Sequence, residues 1–158
     1  ETERLVIFGF GARWLEDDMI DGMRASLASA GMPEEAGAGA IEELVAGIRK
    51  MREDAASDKF ASGHSHAAWA SMLAFDQLAA LRNVPVPVLA IQGGRDQNAS
   101  PRGARDLIKS LRELGHTNIT YVEYGDLDHG FRDEAGVSHR GRVIADIRDW
   151  LLGEGGGR

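Results

Sequence analysis

Two polar side chains stand where apolar runs stop. Val86-Pro87-Val88-Leu89-Ala90-Ile91-Gln92 leads into Gly93-Gly94-Arg95-Asp96, and Tyr121-Val122-Glu123-Tyr124 leads into Gly125-Asp126-Leu127-Asp128-His129-Gly130-Phe131. Each run reads as a strand that ends in glycine and then a polar loop. In open parallel sheets, ligands and catalytic groups gather beyond the carboxyl ends of the strands, so an aspartate after one strand and a histidine after the next fall in the same place. An imidazole with an ordinary pKa near ~6.5 suits general-base work at neutrality. Taken singly, each has a plainer explanation, since Gly-Gly-x-Asp is ordinary turn chemistry and a loop histidine can bond locally. As a pair, Asp96 and His129 are the candidate catalytic residues. Asp126 and Asp128 lie closer to His129 in sequence, but adjacent residues rarely face each other. They read as loop-forming or solvated, with Asp128 as a substitute acid. His116 and His139 stand at helix ends with no matching context.

The elements that must position this pair can be followed along the chain. Residues 4–8 form a short β-prone run that looks buried on both faces and closes at Gly9-Phe10-Gly11. A helical stripe follows from Leu15 through Met19, Ile20, Met23 and Leu27, ended by Gly31-Met32-Pro33, and a second runs through Ile41, Leu44, Val45, Ile48 and Met51. Residues 56–66 read as a loop. Residues 67–81 read as one Ala-rich helix, closed by Asn83 and the prolines at 85 and 87. Residues 86–92 are continuous and apolar, as suits a parallel strand covered on both faces. Ser100 as N-cap and Pro101 as first helical residue open a helix whose inward face is Ala104, Leu107, Ile108, Leu111 and Leu114, stopped by Gly115. Residues 118–124 make the next strand. Ser138 is expected to cap a last helix with Val143, Ile144, Ile147, Trp150 and Leu151 inward. Strand, helix and strand in succession give a parallel pair joined by a crossover.

This organisation resembles the α/β-hydrolase superfamily from its sixth strand onward: strand, helical cap, acid strand, helix, histidine strand, helix. The likeness rests on the VPVLAIQGGRD and LDHGF runs, on the Phe75-Asp76-x-Leu78 run before the acid strand, and on three helices between the first strand and the second. It implies an α/β fold of about three parallel strands with flanking helices and a helical cap insertion. Residues 1–11 would hold the first core strand, 12–83 the helical cap region, 84–152 the core with its acid and histidine loops, and 153–158 a flexible tail. In that family the acid and base of a Ser-His-Asp triad occur in this chain order after the nucleophile. The resemblance therefore implies that Asp96 accepts a hydrogen bond from His129 and favours its imidazolium, while Gly130 permits a tight bend and Phe131 packs beneath the histidine.

The first member of such a triad is missing, because no Gly-x-Ser-x-Gly elbow precedes Asp96. Gly63-His64-Ser65-His66-Ala67 imitates one, with alanine in the last position. An elbow needs a strand before it, and Ser57-Asp58-Lys59-Phe60-Ala61-Ser62 is too polar for a buried strand. Ser65 is thus expected to cap a helix. In a lesser alternative it is the nucleophile of a shortened hydrolase, with Gly9-Phe10-Gly11 as an oxyanion loop. His64 and His66 with Asp58 give only a weak metal-site pattern, so neither a metal nor a cofactor is expected.

A chain of 158 residues falls within the ~100 to 200 of an ordinary domain, and a net charge of −7 argues against a nucleic-acid or anionic-membrane partner. The absence of cysteine excludes disulfides, thiolate nucleophiles and cysteine-based metal sites. No apolar run approaches the ~18 residues of a membrane helix and no leader is evident, which makes a cytoplasmic location the default. The expected function is the C-terminal portion of a serine-type hydrolase acting on esters or C–C bonds of a small-molecule substrate. Alone it should be inactive, and its partner should be a missing N-terminal hydrolase half or a second copy. A non-catalytic binding or assembly module that kept the half-fold is the alternative.

Overall fold

The run around Leu89 becomes the centre of the molecule because both of its faces are apolar. The computed structural model describes residues 3–54, 56 and 59–153. In chain order the elements are β1 (Leu5–Phe8), α1 (Leu15–Ser29), α2 (Glu34–Glu53), the short strands β2 (Phe60–Ala61) and β3 (His64–Ser65), α3 (His66–Leu73), α4 (Gln77–Leu81), β4 (Val88–Gly93), α5 (Pro101–Glu113), β5 (Ile119–Tyr124) and α6 (Arg140–Leu152). The fold is mixed α/β. Its main sheet is parallel, with β4 between β1 and β5.

Every residue of β4 is buried, and alternate side chains enter two cores. Val88 and Ala90 pack with Leu107, Ile108 and Leu111 of α5, whereas Leu89 and Ile91 pack with Tyr124, Leu127 and Val143, the last on α6. Helices thus cover both faces of the sheet. Full burial of Val88, Leu89 and Ile91 contributes roughly 1.5–3 kcal/mol each, large beside a typical net stability of about 5–15 kcal/mol. The end of β4, where Asp96 follows, is accordingly a rigid point. Helices α1, α2 and α3 pack on one another, with Ile48 and Leu73 fully buried, while α4 packs on α5. Among the described residues no helix is long and apolar enough to cross a membrane.

Several local expectations are corrected. Residues 67–81 are two helices, not one, because Asp76 turns extended and caps α4 by accepting the Ala79 N–H, while its carboxylate also pairs with Arg13. The loop expected over residues 56–66 contains the antiparallel β2–β3 hairpin, whose turn is Ser62-Gly63 with φ of 47° and 84°. Both turn residues in the left-handed region suit a two-residue hairpin. Helix α2 begins at Glu34 and runs through Gly37 and Gly39. Ser138 does not cap α6: His139 occupies that position, and Ser138 bridges to Arg132. On α6, Val143, Ile147 and Trp150 face the core, but Ile144 and Leu151 are 64% and 44% exposed, since they lie to one side of that stripe. β1 is half-buried and Phe8 is 65% exposed, because β1 is the edge strand and only β4 pairs with it among the described residues. The part of the expected tail beyond Gly153 lies outside the described residues.

Candidate active site

Asp96 follows β4 in a turn that surrounds its carboxylate with donors. Oδ1 accepts the backbone N–H groups of Asn98 (2.8 Å) and Ala99 (3.0 Å), and Oδ2 accepts Nε2 of Gln92 at 3.0 Å. The amide of Gln92 also donates to the Ala99 carbonyl, which ties the turn back to the strand. The side chain of Asp96 is only 1% exposed. Burial of a carboxylate is costly unless its lone pairs are met, and here both oxygens are met.

His129 projects from a loop organised by its neighbour. Oδ1 of Asp128 accepts the N–H groups of Gly130 and Arg132, and the Asp128 N–H donates to the Arg132 carbonyl. Asp128 is therefore loop-forming, and not a substitute acid. Leu127, fully buried, anchors the base of the loop by accepting the Arg95 N–H. The sharp backbone conformation falls on Phe131, at φ 56°, one residue later than the bend expected at Gly130. Phe131 packs edge-on against Tyr124 as part of the core, which holds this unfavourable conformation in place. The loops after β4 and β5 approach closely: a Cβ on Gly93 would lie 2.5 Å from the Asp128 carbonyl oxygen and 2.7 Å from that of Leu127. Only glycine fits there.

The two loops bring the expected pair together. His129 Nδ1 lies 2.8 Å from Asp96 Oδ2. An ionised carboxylate accepts only, so it assigns the proton of the neutral ring to Nδ1 and leaves Nε2 as an acceptor. The imidazole is half-exposed, and one side of it rests on the loop after β1, where a Cβ on Gly9 would come within 3.0 Å of Cε1. A buried, fully bonded carboxylate behind a half-exposed imidazole is an arrangement that can accept a proton at Nε2 and stabilise the imidazolium that results. A cleft of about 350 Å³ adjoins the acid loop, lined in part by Gly94, Asp96, Gln97, Arg24 and Arg102.

Ser65 lies elsewhere in the local structure. It ends the β2–β3 hairpin and caps α3, its hydroxyl accepting the Ala68 N–H, with φ −68° and no left-handed strain. That is cap chemistry, and among the described residues no serine is hydrogen-bonded to His129. His64 stacks edge-on against Trp69, and buried His66 has Nδ1 4.0 Å from Asp54 Oδ2 without a hydrogen-bond partner. Asp58 lies outside the described residues, and no group of three potential metal ligands occurs among those described. His139 pairs with Asp133 at 2.8 Å and holds that carboxyl below its usual range.

Gln92, and the contact of Gly9 with His129, were not singled out by the sequence. The signal for Gln92 was present, since a polar residue inside a wholly buried strand is the unusual observation there. Gly9 entered only as part of the Gly9-Phe10-Gly11 oxyanion loop of the lesser alternative, with nothing to indicate that it lies against His129. No family model and no curated protein matches the chain.

Proposed function

We propose that this chain supplies the acid and base of a serine-hydrolase site of the α/β-hydrolase type, cleaving an ester or C–C bond in a small molecule. The observation that carries this is the Asp96–His129 contact between loops that follow neighbouring parallel strands, in the order acid then histidine. The helical segment between β1 and β4 supports it, as the counterpart of a cap. Nε2 of His129 would take the proton of an attacking hydroxyl and return it to the leaving group, while Asp96 keeps the ring oriented and favours its charged form.

The nucleophile is supplied from outside the described residues, by another segment or another chain. Such a partner would add a strand beside β1, whose outer edge has no partner among the described residues and whose following loop supports the imidazole. The alternative is a binding or assembly module in which the pair is retained without chemistry.

Activity-based labelling of the native protein with a fluorophosphonate tests the choice. A labelled serine, on a polypeptide that contains or co-purifies with this chain, is expected to lose its label when His129→Ala is introduced. Absence of any such labelled species, together with no hydrolysis under any pairing, would leave the binding module.

A further inference from the structure

Asp18 is a buried carboxylate, 4% exposed, that the chemistry above does not use. It lies in the first turn of α1, yet its bonds leave the helix. Oδ1 accepts the backbone N–H of Ala12 at 2.8 Å and that of Ser100 at 2.7 Å. Ala12 belongs to the loop whose Gly9 supports His129, and Ser100 follows Ala99, whose N–H holds Asp96. The preceding loop residue is glycine for this reason, since a Cβ on Gly11 would overlap the Asp18 carboxylate. One oxygen atom thus joins α1 to the loop that supports the His129 ring and to the turn that carries Asp96.

We propose that Asp18 is a positioning residue for the Asp96–His129 pair, its ionised carboxylate holding the loop after β1 and the Ser100 turn in one arrangement against α1. The consequence for catalysis rests on the acid–base reading above, whereas the coupling itself does not. Protonation of Asp18 weakens both bonds together, because a neutral carboxyl is a poorer acceptor than a carboxylate.

The surroundings place that protonation in an accessible range. Burial pushes Asp18 up to about 6, outweighing the two N–H bonds that favour its charge, and Asp21 and Asp17 on α1 push in the same direction. The nearby cations are engaged elsewhere: Arg102 of α5 and Arg24 of α1 pair with Asp21, Arg13 of the β1 loop pairs with Asp76, and Arg95 of the acid loop bonds the Asp126 carbonyl. A side chain kept only to fasten a helix would gain by being neutral here. Charge held against burial is characteristic of a site under functional constraint.

The test is a pH titration of the ¹⁵N-labelled chain in a His129→Gln background, where the imidazole no longer titrates. The Ala12 and Ser100 amides are expected to share one midpoint near pH 6. The Asn98 and Ala99 amides should move with that midpoint. Asp18→Asn should abolish the midpoint at all four amides; if that variant fails to fold, the titration of the first protein decides alone. Ala12 and Ser100 titrating while Asn98 and Ala99 stay still would make Asp18 a local anchor and overturn the proposal, as would no midpoint at any of them. Ring ¹⁵N shifts of His129 in the unaltered chain at pH 8 should report the Nδ1–H form. A mixture of tautomers there would count against the acid–base reading and leave the Asp18 coupling untouched.

Discussion

Gln92 donates from inside β4 to Oδ2 of Asp96 at 3.0 Å, the same oxygen that His129 meets at 2.8 Å. The acid is thereby fixed from the sheet as well as from its own turn. The second amide atom, Oε1 of Gln92, is buried without a partner. Gln92→Leu would remove a donor to Asp96 together with that orphan acceptor, two effects of opposite sign. We expect its stability to stay within about 1 kcal/mol of the parent. Asp96→Ala strands four donors at once and should cost about 2–5 kcal/mol. Urea unfolding measures both, and equal losses in the two variants would mean that Gln92 is a structural anchor in its own right.

A missing nucleophile sets the next expectation. Purified chain should hydrolyse short p-nitrophenyl esters no faster than His129→Ala does, because Nε2 has no hydroxyl to activate among the described residues. Ser65→Ala should leave that background unchanged and lower stability by about 1 kcal/mol through loss of the α3 cap. A fluorophosphonate adduct on Ser65, found by peptide mass spectrometry, would reverse this and install the shortened-hydrolase alternative.

The pH dependence of stability carries its own sign. Asp18 is raised from the ordinary 3.8 to about 6 in the folded chain. Below about pH 4 it is neutral in both folded and unfolded states, and its contribution is fully present. Between those values the unfolded chain releases the proton that the folded chain keeps, so stability falls as pH rises and the loss is complete above about 6, amounting to 2–3 kcal/mol. Asp18→Asn lacks this slope. Relative to the parent it should gain about 2–3 kcal/mol between pH 4 and pH 7 in urea unfolding. Parallel curves for the two proteins would place the pKa of Asp18 near its ordinary value.

The strands and their terminal polar residues were legible because a buried parallel strand has a simple signature and ends where its apolar run ends. Ser100-Pro101 likewise announced α5, and its hydroxyl does accept the Gly103 N–H. Capping was misread where tertiary contacts decide it. Asp76 interrupts an Ala-rich stretch through its bond to Arg13, 63 positions away, and His139 replaces Ser138 at α6 because the Asp133 carboxylate holds it. The Ser62-Gly63 turn carried a local signal for the hairpin that the polarity of its flanks obscured. Asp18 looked like an ordinary acidic residue in a first helical turn. Nothing in its sequence neighbourhood indicates that its acceptor role is spent on Ser100, 82 positions later.

The outer edge of β1 offers the last test. Leu5 N–H donates to the Pro87 carbonyl and Gly9 N–H to that of Ile91, so with a period of two the N–H groups directed at β4 are those of Leu5, Ile7 and Gly9. Those of Val6 and Phe8 face outward, beside a phenyl ring that is 65% exposed. An apolar strand with free donors on its edge invites pairing. In the absence of a nucleophile-bearing partner, the chain is expected to form a homodimer through this edge, with neighbouring helices at the interface and the two β1 strands related by a two-fold axis. Val6→Pro removes an outward donor and none of those directed at β4, and proline is tolerated on an edge strand. The variant should therefore keep its far-ultraviolet circular dichroism while light scattering shows a shift toward monomer or aggregate. A stable monomer for the unaltered chain would reject the dimer and point to a helix lying over the edge.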